Sequence, residues 1–141
     1  SLKRQMYVQM NAVNHQEVIQ ITKKLLSIDY TDMKAHKILR QTYKIIGDTA
    51  NAAKYKTIQF GLMNSILQKG DGRSCETAWP VIQVEEEYFI LEMVGAKLKG
   101  QTLVEDGGIC DKMEFKAEGK NKTYFFEVSK VFEGYKKLGL E

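Results

Sequence analysis

The sequence predicts an α+β fold: helical hairpins first, then a small, mainly antiparallel sheet carrying one inserted helix. Three observations lead there. Apolar residues keep a helical spacing from Val18 to Leu67. The stretch Gly70 to Val84 (GDGRSCETAWPVIQV) then breaks that period, and it holds the only proline and the only tryptophan of the 141 residues, Pro80 and Trp79. Beyond it, short alternating runs of β-prone residues take over. The expected division is a helical segment over residues 1–69 and a small α+β segment over 70–141, together forming one compact unit.

In chain order, residues 1–10 read as the end of a preceding helix whose partner lies outside this chain. Asn14 followed by Glu17 reads as a capping box opening the next helix, with Val18, Ile19, Ile21, Leu25, Leu26 and Ile28 at apolar spacing. Asp32 is placed to cap a further helix and Gly47 to end it, with Ala35, Ile38, Leu39, Ile45 and Ile46 on one side. Lys34, Lys37, Arg40 and Lys44 fall on the other. Asp48 caps a last helix with Ala52, Tyr55, Ile58, Leu62, Ile66 and Leu67 inward. With Leu39, Tyr43, Gly47 and Ala52 at matching positions, this run resembles tetratricopeptide repeats, and the likeness implies a tetratricopeptide-like helical segment. His36, Arg40 and Tyr30 depart from that pattern. One and a half repeats are too few for a peptide-binding superhelix, so the hairpin is read as packing.

After Gly70-Asp71-Gly72, a turn, the segment Ala78–Val84 alternates as a strand. Glu85, Glu86 and Glu87 open a helix ending at Gly95, where they read as dipole compensation without a shifted pKa. Lys97–Val104 is a strand, and two more runs carry Met113, Phe115 and Tyr124, Phe126, Val128 around a hairpin at Glu118–Asn121. Val131–Leu138 closes the described pattern as a short helix with Phe132 and Tyr135 inward.

Composition and charge exclude several classes. Hydrophobic residues are 43% and charged residues 28%, an ordinary globular balance. No apolar run approaches the roughly 20 residues of a membrane helix, and no leader opens the chain. Net charge is +3, unevenly spread: residues 1–69 carry eleven Lys and Arg against four Asp and Glu, and residues 70–141 carry ten against fourteen. The bland reading is a solvated basic face near an acidic neighbour, and the sharper one a polyanion site at Lys34, Lys37, Arg40 and Lys44. No aromatic interleaves with that stripe, so nucleic acid is not expected.

His15 and His36 have no ligand-spaced companion, so no metal is expected, and no cofactor motif is present. Cys75 and Cys110 are too few and too far apart for a zinc motif; the default reading is two unpaired thiols, and a bridge between them in an oxidising compartment is the alternative that sequence leaves open. Cys75 has no histidine base near it in sequence, so it is read as structural. The loop offers Asp71, Arg73, Glu76, Thr77 and Trp79 as candidates for a small ligand or carbohydrate, since binding sites favour such junctions. The alternative is a loop that pins itself down.

The segments GDGRSCETAWPVIQVEEEYFILEMVG, LKGQTLV and KTYFFEVSKVF together resemble an uncharacterised bacterial family, domain of unknown function 4919, over nearly the whole chain. Its main departure here is Trp79-Pro80, because a proline strand lacks a donor for pairing on both sides. The resemblance implies export to the periplasm or cell surface and a longer precursor, and it carries no activity. Joined to the absence of a nucleophile–base pair, it gives the expectation of a non-catalytic domain in protein contact or envelope upkeep. Its partner is expected to be another protein. Ligand binding at the Asp71–Trp79 loop and polyanion binding at the Lys34–Lys44 face are the alternatives.

Overall fold

The structure is a computed structural model, described here for residues 1–137. Six helices and four strands give the expected α+β class, in the order α1 (Leu2–Asn11), α2 (His15–Ile28), α3 (Met33–Ile45), α4 (Thr49–Leu67), β1 (Trp79–Pro80), α5 (Val84–Met93), β2 (Lys97–Glu105), β3 (Ile109–Ala117), β4 (Lys120–Glu127) and α6 (Ser129–Lys137). They divide into two compact units, Ser1–Met63 and Asn64–Glu141. The division falls inside α4, earlier than the glycine turn at which the composition changes.

In the first unit, the Ser1 hydroxyl accepts from the Arg4 amide at 3.2 Å at the first turn of α1. The partner of that helix lies within the chain rather than outside it, because Met6 is buried in a cluster with Val18 and Ile38. Asn14 precedes α2 but its side chain makes no capping bond. The other arm of the box is closed as well, since the Asn14 N–H that Glu17 would take donates to the Gln9 carbonyl at 3.0 Å. Asp32 and Asp48 both cap as expected, Asp32 accepting from Ala35 N–H and Asp48 from Asn51 N–H, each at 3.1 Å. Those bonds from Asn51, side chain first and then backbone, hold the Asp48 carboxyl below its ordinary range.

Ile45 and Ile46 are exposed, not inward as the apolar spacing suggests. Each follows a buried residue by seven, Ile45 after Ile38 and Ile46 after Leu39, so the helical period does aim them inward; they stand at the C-terminal end of α3, Ile46 as its C-cap, and are exposed there. Tyr43 stacks on Tyr55 at 5.7 Å and Tyr55 on His36 at 5.9 Å. His36 is fully buried, and its Nε2 donates to the Tyr30 carbonyl at 2.7 Å. It serves as a core aromatic ring. Around this stack Ile19, Leu26, Ala35 and Leu39 complete one core, with Ala52 and Ile58 against it.

In the second unit the sheet order is β1-β4-β3-β2. β2, β3 and β4 pair antiparallel, and β1 lies parallel to β4 at the edge. The expected strand over Ala78–Val84 shrinks to Trp79–Pro80 for two physical reasons. Pro80 has no N–H, which suits the edge. After Val81 N–H reaches the Glu127 carbonyl, the next two amides, Ile82 and Gln83, both donate to one Glu86 carboxylate oxygen at 2.7 and 3.0 Å. That closes the start of α5. At the chain end α6 buries Val131, while Phe132 and Tyr135, expected inward, lie on its exposed side. α6 follows directly from buried Val128, whose N–H bonds the Ile109 carbonyl. Leu138 lies outside the described residues.

Candidate functional site

Three places in the structure gather chemistry-bearing side chains: the glycine loop, a carboxyl pair under α5, and a basic cleft between α3 and α4.

The glycine loop explains its own sequence. Gly70 approaches the Thr77 backbone carbonyl so closely that a Cβ would collide with it. Gly72 has φ +70°, and a Cβ there would sit 2.6 Å from the Trp79 ring. Between them Asp71 accepts from the Arg73 amide at 2.9 Å and from the Thr77 hydroxyl at 2.6 Å. These bonds, Thr77 foremost, hold its carboxyl below the ordinary range. The Trp79 indole N–H donates to the Gly70 carbonyl at 2.9 Å, and Phe125 N–H binds the Gly72 carbonyl at 2.8 Å. Asp71 and Thr77 are therefore brought together, Trp79 is turned inward against Tyr124 and Phe126, and Arg73 stays exposed. Glu76 alone of the five candidates lines the neighbouring recess of about 550 Å³, which it shares with Asp106 and Glu127.

Cys75 and Cys110 form a disulfide across a separation of 35 residues, which corrects the expectation of two free thiols. Cys110 sits in β3 opposite Glu127 of β4, and the turn after Arg73 carries Cys75 to it. The approach is created by sheet register, which sequence spacing does not display.

Gly72→Ala is expected to destabilise the protein by about 2–4 kcal/mol, since it adds left-handed backbone strain to an overpacked contact on the indole. Urea denaturation followed by circular dichroism measures it. A change under about 0.5 kcal/mol would show that the loop and ring yield freely.

The three neighbouring glutamates of α5 have three different fates, because successive residues turn about 100° around a helix. Glu85 is exposed and Glu86 caps the helix. Glu87 is fully buried, on the side of Ile90 and Leu91. Burial pushes its carboxyl up to about 9, with neighbouring Asp111 and the Glu86 charge adding to it. This overturns the expectation of three unperturbed carboxylates. Neither Glu87 carboxyl oxygen has a hydrogen-bond partner among the described residues, which disfavours the charged form. Asp111 accepts from the Gln101 amide at 3.3 Å, and Gln101 accepts from the Tyr88 hydroxyl at 2.7 Å. A protonated acid beside a carboxylate is the arrangement of an acid–base pair, but here Glu87 is 0% and Asp111 9% exposed. The proton is held as part of the packing.

Of the basic face, Arg40 and Lys44 line a cleft of about 390 Å³ between α3 and α4. Lys34 and Lys37 do not line it, and each has an interaction elsewhere in the chain. The cleft gains Lys56 and Thr49 from α4, two residues that reading α3 alone does not supply. A signal for them was present: Thr49, Ala52, Ala53 and Lys56 follow helical spacing along one side of α4. Among the described residues no group of three or more potential metal ligands gathers, and no helix is long and apolar enough to cross a membrane.

No curated protein and no solved structure matches the chain. The family described as Domain of unknown function (DUF4919) matches residues 2–137. Its match takes in α1 through α6, the glycine loop, the disulfide and the carboxyl pair alike, and the chain belongs to that family.

Proposed function

We propose that this chain is a non-catalytic interaction domain of a bacterial exported protein, working in the periplasm or at the cell surface with a tetratricopeptide-like helical segment. The observation that carries the reading is the Cys75–Cys110 disulfide. Structural disulfides persist in oxidising compartments and are rare in reducing ones. The same bond fastens the stretch richest in polar chemistry to β3, where Asp71, Thr77 and Trp79 are occupied by their neighbours. That is the build of a scaffold. The loop as a small-ligand or carbohydrate site has less support, because its indole faces the sheet aromatics.

The test is made in the native host with the full-length protein. Acid-trapped cells treated with a maleimide-bearing polymer should show no labelled thiol until a reductant is added. Chemical cross-linking of intact cells should give a discrete adduct with a second protein. Free thiols in trapped cells would remove the exported reading, and the lack of any adduct would remove the interaction reading.

A further inference from the structure

We infer that the cleft between α3 and α4 is a docking site for an acidic segment of a partner protein, which places a carboxylate side chain between Arg40, Lys44 and Lys56. The inference names the partner chemistry of the interaction reading above and rests on it.

Arg40 and Lys44 stand one turn apart on α3, and Lys56 faces them from α4. No carboxylate lines the cleft, and among the described residues none of the three cations is in an ion pair. Three like charges around one opening repel each other unless an anion joins them. Arg40 is the most telling of the three. Its guanidinium lies 6.0 Å from the Phe60 ring centre, and its Nε is buried with no acceptor among the described residues. A buried N–H without an acceptor is destabilising, and a small outward turn of the guanidinium toward a carboxylate in the cleft pairs it. The planar guanidinium offers two parallel donors to a carboxylate, a geometry a lysine cannot reproduce.

The rest of the lining argues for a side chain rather than a phosphate polymer. Ala52 and Ala53 give the cleft an apolar part, and Thr49 adds a hydroxyl. An aspartate or glutamate has a hydrocarbon stem to lie on the alanines and a charged end for the cations. A phosphodiester backbone would instead need a continuous basic track, and the track is interrupted because Lys34 and Lys37 are engaged within the chain. The space, about 390 Å³, accommodates one or two side chains.

The experiment titrates a capped hexaglutamate peptide into the full chain and follows the Arg40 Nε–Hε signal by NMR, with calorimetry alongside. The Arg40 signal should shift on saturation. Affinity should fall at least about tenfold in Arg40→Gln and in the Lys44→Gln/Lys56→Gln pair. Lys44 and Lys56 are exposed, so their removal leaves the core untouched. A control pair on β2, Lys97→Gln/Lys99→Gln, should bind as the parent does. An unmoved Arg40 signal, or equal affinity in parent and cleft variants, overturns the inference. So does tighter binding of oligothymidylate than of hexaglutamate, which would make the cleft a phosphate site. A cross-linked adduct that persists in cells carrying Arg40→Gln/Lys44→Gln/Lys56→Gln would leave the interaction reading standing and remove the cleft from it.

Discussion

Replacing Cys75 and Cys110 together by serine is expected to lower stability by about 4 kcal/mol, the chain-entropy value for closing a loop of this length. The loop spans 35 positions, so without the bond the unfolded chain regains many conformations that the cross-link forbids. The expected fall in melting temperature is on the order of 10–20 °C by calorimetry. The folded variant should keep its sheet, because Phe125 N–H to Gly72 C=O and the Trp79 indole bond to Gly70 do not depend on sulfur. A loss below about 1 kcal/mol would mean that the unfolded chain stays confined without the cross-link. Reduction of the parent protein should reproduce the serine variant. If reduction proved silent while the serine pair melted early, the damage would come from the substituted side chains and not from the missing cross-link.

The second large effect is a fall in stability as pH rises, traced to Glu87. Its carboxyl titrates near 9 in the folded chain against 4.5 as the ordinary value. Between those two values the folded state holds a proton that the unfolded state has released. Raising pH through that window therefore favours unfolding, by up to ~1.4 kcal/mol for each pH unit. The contribution is complete below pH 4.5 and gone once pH passes about 9. Glu87→Gln should remove most of the slope, because an amide of the same shape carries no charge at any pH. Denaturant titrations of parent and variant at pH 5, 7 and 9 measure this. The variant should gain on the parent steadily toward pH 9, and parallel pH profiles would show that Glu87 ionises freely in the fold. Asp48 and Asp71 shift the opposite way and act only at the acid end, where protonation weakens their bonds to Asn51 and Thr77.

These two groups also mark where sequence reading stopped. The caps Asp32 and Asp48 are local features, decided by residues three positions apart, and their bonds to Ala35 and Asn51 stand where the sequence puts them. The hairpin at Glu118–Gly119 is local too, and both residues take positive φ there. Cys75 and Cys110 meet only because β3 lies beside β4 and the loop is fastened to β4, a consequence of strand order. Glu87 is a different kind of miss. It precedes Ile90 and Leu91 by three and four residues, and both are buried, so the helical period does place it inward. The neighbouring glutamates suggested one shared role, and a charged residue is rarely placed in a core without sight of its partner. Asp111, 24 positions away in β3, is that partner. Ile45, Ile46, Phe132 and Tyr135 keep the helical period of buried Ile38, Leu39, Val128 and Val131 and are nonetheless exposed, which periodicity alone does not display.

Gly72 and Trp79 have one more consequence, for spectroscopy. Trp79 is the chain's only tryptophan. Its indole is nearly buried and lies edge-on to Tyr124 at 4.8 Å. Emission from such an indole is blue-shifted, and it moves to longer wavelength when water reaches the ring. All three residues belong to the unit that holds the sheet. Tryptophan emission therefore reads that unit alone, while far-ultraviolet dichroism weighs the helices of both. Unfolding curves recorded in the two ways will superimpose if the units melt together, and will part if one melts before the other.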